Sequence, residues 1–278
     1  MARSRSSSPV AHSAAFSAAL GAALGGLLLA SACGESPKVS GTVLDIWDQP
    51  IEGATVTLEG VVEQQTTASS GAFTFVLPQP GEARVMAGKD GYIKDMAVVQ
   101  PPAEDADEPA TIVFKLYPDP GEVGFFAIGN RVYHRLPGFE AMTRGTEVRA
   151  MTGLHDVGDV VLPPGQAPAF VFSSTLRAER LAQLNLQLHR LQFTQETSLP
   201  GVLGETSTDL NMWTAVGNEI PYDLVVLPSR DDFLIELRDA LPPGAYAFHT
   251  QGALTSHTYE GLDKLPRELR QAYTFEIK

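Results

Sequence analysis

The sequence holds one cysteine, Cys33, among 278 residues. No disulfide can close within the chain, and stability must come from a packed core. Basic residues are also scarce, with 20 Lys and Arg against 33 Asp and Glu and a formal charge of −13. Without a basic stripe, neither nucleic-acid binding nor electrostatic adhesion to anionic lipid is expected. The His-Glu-x-x-His helix motif of zincins and the Gly-x-Ser-x-Gly elbow of serine hydrolases are both absent. Gly88-Lys89-Asp90 is no phosphate loop, because Ala83 and Asp90 occupy the positions that require Gly and Ser or Thr.

The remaining polar candidates read as structural. His134, His155, His189, His249 and His257 are scattered along the chain, and a site built on His249 and His257 is not expected. Calcium needs six to eight oxygens from an ordered loop, and no Asp-x-Asp-x-Asp run exists. Asp231-Asp232 and Asp156-x-x-Asp159 therefore read as solvated turn charges. No catalytic residue, metal or cofactor is assigned.

What is present begins with an address. Arg3 and Arg5 precede an apolar run from Ala14 to Ala30, which has the charged and apolar regions of a signal peptide. Gly21, Gly25 and Gly26 interrupt that run, which falls short of the ~20 strongly apolar residues of a spanning helix. Ala30-Ser31-Ala32 suits ordinary A-x-A cleavage. Followed at once by Cys33, the same residues resemble the bacterial lipobox, whose cysteine takes a diacylglycerol group and becomes the new N-terminus. A lone cysteine would fall at this position by chance once in 278 placements. Lipidation of Cys33 is therefore expected, with two or more acyl chains giving stable anchorage. Resemblance to Gram-negative lipoproteins, with Gly34 rather than Asp after the cysteine, implies the outer membrane. Loss of Arg3 and Arg5 would leave 18 basic against 33 acidic residues, or −15.

Gly and Pro are spread throughout and apolar residues recur mostly at period two, so an all-β chain is expected. After a tether at 33–38, strands are expected at 39–47, 54–58, 64–68, 72–77, 83–88, 92–99 and 111–117, the spacing of a β-sandwich over 39–118. Gly41-x-Val43, Gln49-Pro50-Ile51-x-Gly53-Ala54-x-Val56-x-Leu58, Gly71-x-Phe73-x-Phe75 and Lys89-x-Gly91-Tyr92 carry a family likeness. They resemble the carboxypeptidase regulatory-like domain, which implies a transthyretin-like sandwich and a non-catalytic accessory role. Val56, Leu58, Phe73 and Phe75 would face inward, while Gly53 and Gly71 suit turns of unusual φ.

The stretch 101–109 is acidic and Pro-bounded, and Pro118-Asp-Pro-Gly121 reads as a boundary before a second, mainly-β region at 122–278. Gly129-Asn130 suits a hairpin turn between strands at 125–128 and 131–135. Later strands are expected at 222–227, 233–237, 245–250 and 272–277. Around 176–191 the pattern is mixed: a short helical turn over 176–181, then a strand with a bulge near His189 and Arg190 that lets Leu191 and Phe193 resume alternation.

Trp47, Trp213, Tyr222, Tyr246 and Tyr259 are the aromatics that an exposed sugar platform would use, with Trp47 and Trp213 the ligand-binding candidates. The expectation is a non-enzymatic envelope lipoprotein that serves as a spacer and binds another envelope protein. A cell-surface glycan-binding role is the alternative, and a hydrolase with dispersed catalytic residues the third.

Overall fold

The computed structural model describes residues 38–77, 81–100, 110–146, 149–196, 210–228, 231–254 and 264–278. Cys33 with its leader and tether, the acidic stretch 101–109, His257 and Tyr259 lie outside them. Ser36–Lys278 forms one compact unit. The chain is all-β, with two four-residue helices among the described residues, α1 (Ala178–Leu181) and α2 (Arg267–Arg270).

The first seven strands are β1 (Lys38–Asp45), β2 (Thr55–Leu58), β3 (Gln64–Thr66), β4 (Ala72–Val76), β5 (Ala83–Gly88), β6 (Asp95–Val99) and β7 (Ala110–Leu116). They form sheets of order β4-β1-β7 and β3-β2-β5-β6, with β1 antiparallel to β4 and parallel to β7. Alternation drives Val56, Leu58, Phe73, Phe75, Val85 and Phe114 into one core between the sheets. Gly71 sits at φ +73, and a Cβ there would stand 2.4 Å from the Val43 carbonyl oxygen, so only glycine fits the turn. Strand β6 starts at Asp95 rather than Tyr92. Tyr92 instead bridges to Pro118, and Ile93 joins a small apolar cluster with Leu227 and Leu234 of the following region.

The following strands are β8 (Gly124–Ile128), β9 (Tyr133–Arg135), β10 (Gly138–Glu140), β11 (Met142–Thr146), β12 (Arg149–Gly153), β13 (Val161–Leu162), β14 (Ala169–Ser173), β15 (Leu186–Glu196), β16 (Leu210–Val216), β17 (Tyr222–Val226), β18 (Asp232–Leu237), β19 (Gly244–Thr250) and β20 (Gln271–Ile277). A sheet of order β17-β18-β14-β8-β9 lies against one of order β10-β20-β19-β15-β16, to which β13 adds beside β20, while β11 and β12 form a separate hairpin. Their shared core is aromatic, built on Phe125, Phe170, Phe172, Phe233, Phe248 and Phe275. Phe125 stacks on Phe172 with ring centroids 4.1 Å apart.

The larger sheet is buried on both faces. Ala245, Ala247 and Ala272 leave room on the outer face for Leu154, Val157 and Leu254 to cover it. This removes the expected bulge in β15: its ladder with β19 runs unbroken from Leu186↔Thr250 to Leu191↔Ala245. Leu186 and Leu188 enter the aromatic core, whereas Leu191 enters the outer cluster. With apolar cover on both sides, apolar residues of both parities can be satisfied without a break in register.

The hairpin turn also differs from expectation. Gly129 N–H donates to the Val132 carbonyl at 2.9 Å, closing the turn over 129–132. Arg131 takes the left-handed conformation (φ +62), so β9 starts at Tyr133.

Candidate functional site

A cleft of about 440 Å³ opens where the two sandwiches meet, lined by Trp47, the 118–122 connection and the β8–β9 hairpin. Its first wall is a turn that the sequence fixes tightly. The buried carboxylate of Asp45 accepts the N–H groups of Trp47 and Gln49 through Oδ1, each at 2.8 Å. Asp48 is left-handed at φ +61 and pairs with Lys115 of β7 at 2.7 Å. The Trp47 indole N–H then donates to the Gly129 carbonyl at 2.8 Å, which ties the turn to the opposite hairpin and fixes the ring.

Tyr133 forms the second wall. Its ring centroid is 6.2 Å from that of Trp47 and 6.2 Å from that of Phe126. Its hydroxyl is buried without a hydrogen-bond partner among the described residues. Burial, reinforced by Tyr117, Asp232 and Asp119, pushes the phenol pKa well above its ordinary value, so the group remains a neutral O–H donor.

Charged groups rim the aromatics. Asp119 accepts the Gly121 N–H at 2.8 Å, and Arg135 pairs with Glu122 at 3.3 Å. Arg131 lines the cleft with no ion pair or hydrogen bond among the described residues. A second groove of about 340 Å³ crosses the outer face of β2 and β5, lined by Thr55, Thr57, Gln64, Lys89 and Lys94 but by no aromatic ring. Of the two, the junction cleft combines aromatic faces with charged hydrogen-bonding groups, the lining that small-molecule and sugar sites use.

The other sequence candidates lie elsewhere. Trp213 of β16 sits against the outer cluster, its ring 5.3 Å from Phe193 and its backbone paired to Leu154. Tyr222 and Tyr246 belong to the aromatic core, with their hydroxyls donated to the carbonyls of Leu186 at 2.5 Å and Pro242 at 2.6 Å. Asp156 accepts the Val157 and Gly158 N–H groups, as a turn aspartate does, and Asp232 is a buried residue of β18. His257 stands at His-x-x-Glu spacing from Glu260, and both lie outside the described residues.

Two histidines come together that are separated by 60 residues. His189 Nδ1 lies 2.9 Å from His249 Nε2, and His249 Nδ1 lies 2.9 Å from the Thr250 carbonyl. Because that carbonyl only accepts, the network assigns the proton of His249 to Nδ1 and leaves its Nε2 to accept from His189 Nδ1–H. Both nitrogens of His249 are thus committed, and neither is free to hold a metal. Burial pushes the His249 pKa down to about 4, with the Thr250 hydrogen bond raising it and His189 lowering it further. Burial likewise lowers His189, opposed by Glu219. The pair is neutral at pH 7.

The match to known families falls on the first sandwich. Residues 38–115 match the model of the carboxypeptidase regulatory-like domain family. The matched segment supplies Trp47 to the cleft. No curated protein matches the chain. Among solved structures, a candidate carbohydrate-binding protein from Bacteroides uniformis is 11% identical, with 78% of this chain and 89% of that one covered and a TM-score of 0.23. BcpA, the major pilin subunit of Bacillus cereus, is 12% identical, with 87% of this chain and 67% of that one covered and a TM-score of 0.23. At such scores neither likeness bears on fold or function.

Proposed function

We propose that this chain is an exported, lipid-anchored, non-enzymatic protein of the outer membrane that binds saccharide in the cleft between its two sandwiches. The observation that carries the reading is the Trp47 indole, pinned by its N–H to Gly129 and set beside Tyr133 and Phe126 in a cleft rimmed by charge. Aromatic faces take the apolar face of a sugar ring, and polar groups around them fix its hydroxyls. In affinity electrophoresis against dextran, alginate, dextran sulfate and peptidoglycan, Trp47→Ala should weaken retention at least tenfold, whereas Trp213→Ala should leave it unchanged. No retention of the wild type by any of the four ends the reading.

Anchorage rests on Cys33 and its leader. No helix among the described residues is long and apolar enough to cross a membrane. Labelled fatty acid should enter the wild-type protein and not Cys33→Ser; equal labelling would remove the anchor.

A protein-binding spacer is the second reading, and strand β17 favours it. It is the edge of its sheet, with Leu224, Val225 and Val226 exposed at 37, 44 and 45%. A photo-crosslinker at Val225 that captured one defined envelope protein, lost on Leu224→Lys while all saccharides failed to bind, would put this reading first.

A further inference from the structure

We infer that the saccharide held in the cleft is acidic, its anionic group taken by the Arg131 guanidinium and the Tyr133 hydroxyl; this rests on the saccharide reading above. Three observations converge on it. Arg131 lines the cleft without an ion pair or hydrogen bond among the described residues, and the turn holds it at φ +62, a conformation that a non-glycine residue rarely adopts. Next along the chain but one, the Tyr133 hydroxyl is buried without a partner among the described residues. An orphaned buried donor is costly and calls for an acceptor. Of the carboxylates nearby, Glu122 is paired with Arg135 and Asp119 accepts the Gly121 N–H, so neither engages Arg131, although Asp119 and Asp232 still act on the phenol and oppose an anion there.

What remains uncommitted is therefore a planar, permanently charged fork and a neutral O–H donor beside two aromatic faces. A guanidinium binds a planar carboxylate through two parallel hydrogen bonds, and the phenol adds a third donor. The high phenol pKa noted above keeps that donor protonated across the physiological range. The chain as a whole carries −13 and repels a polyanion at long range. At about 0.15 M salt, however, exposed charges more than about 8 Å apart are largely screened, and the local cation decides. The hydroxyls of a neutral sugar could accept from both groups but would leave the Arg131 charge unpaired.

The test uses the full chain in affinity electrophoresis with alginate, carboxyl-reduced alginate, dextran sulfate and dextran. Alginate should bind at least tenfold more tightly than its reduced form. Arg131→Gln should remove that difference, Arg131→Lys should retain part of it, and Tyr133→Phe should weaken alginate alone; an unchanged melting temperature guards against misfolding. Dextran sulfate binding in place of alginate would still support an anion at Arg131, with a sulfate ester as its source. Equal binding of alginate and reduced alginate, unmoved by Arg131→Gln, overturns the inference and leaves the saccharide reading standing. Failure of all four polysaccharides to bind removes both.

Discussion

Phe125→Ala should lower the stability of the chain by about 3–5 kcal/mol. Phe125 is 1% exposed, and its ring centroid lies 4.1 Å from Phe172, 4.6 Å from Tyr273 and 5.0 Å from Phe248. The first neighbour is in its own sheet, and the other two are in the sheet opposite. Truncation removes a ring that touches both layers. The surrounding side chains are themselves rigid rings held by β-ladders, so the site cannot collapse to refill the space, and the cost lies at the high end for a core substitution. Urea unfolding should show a lower midpoint at unchanged slope. A loss below about 1 kcal/mol would mean that the two sheets do not meet across these rings.

Acid should destabilise the fold through the buried histidine pair. In the unfolded chain His249 takes up its proton near 6.5; in the folded chain it does so only near 4. Between those values the unfolded state binds more protons, so this stability is fully present above pH 6.5 and is lost as the pH falls toward 4. At 1.36 kcal/mol per pH unit the His249 contribution is on the order of 3 kcal/mol. His189 shifts in the same direction and adds to it, less the opposing effect of Glu219. Geometry gives the reason: a proton on His249 Nε2 would face the His189 Nδ1–H across 2.9 Å, donor against donor. His249→Gln keeps an acceptor for His189 and a donor for the Thr250 carbonyl while removing the titration. Its melting temperature should fall less steeply than that of the wild type between pH 6.5 and 4. An identical slope in the two proteins would rule out the pair as the source.

The first sandwich was legible in the chain because each of its sheets buries one face. Val56 and Leu58, then Phe73 and Phe75, alternate with polar neighbours, and the turn glycines stand where a side chain would collide. The second region hid more of itself. β14 reads Ala-Phe-Val-Phe-Ser, an apolar run without alternation, and β15 carries buried residues of both parities because its sheet is covered on both sides. That double cover made a bulge seem necessary at His189, where the strand is in fact regular. The histidine pair had one faint signal: His249 shares its face of β19 with Ala245 and Ala247, small residues that accompany a closely packed cover. Nothing local linked it to His189 sixty residues earlier, because ladder register alone brings them together.

The cleft was half legible. Trp47 stood out as a large aromatic in a polar turn, but its partners Tyr133 and Arg131 lie more than 80 residues away in a hairpin whose turn is two residues longer than Gly129-Asn130 suggested. Two modules must dock before the site exists, so no single segment of the sequence spells it out.

Trp213→Phe leaves Trp47 as the only tryptophan, which makes the cleft visible by its own fluorescence. That variant should be titrated with alginate oligosaccharides and, separately, with dextran oligosaccharides. A saccharide bound in the cleft must change the Trp47 emission saturably, in step with binding measured by calorimetry. Calorimetric binding with no change at Trp47, or no binding of either oligosaccharide, would contradict the assignment of this cleft as the ligand site.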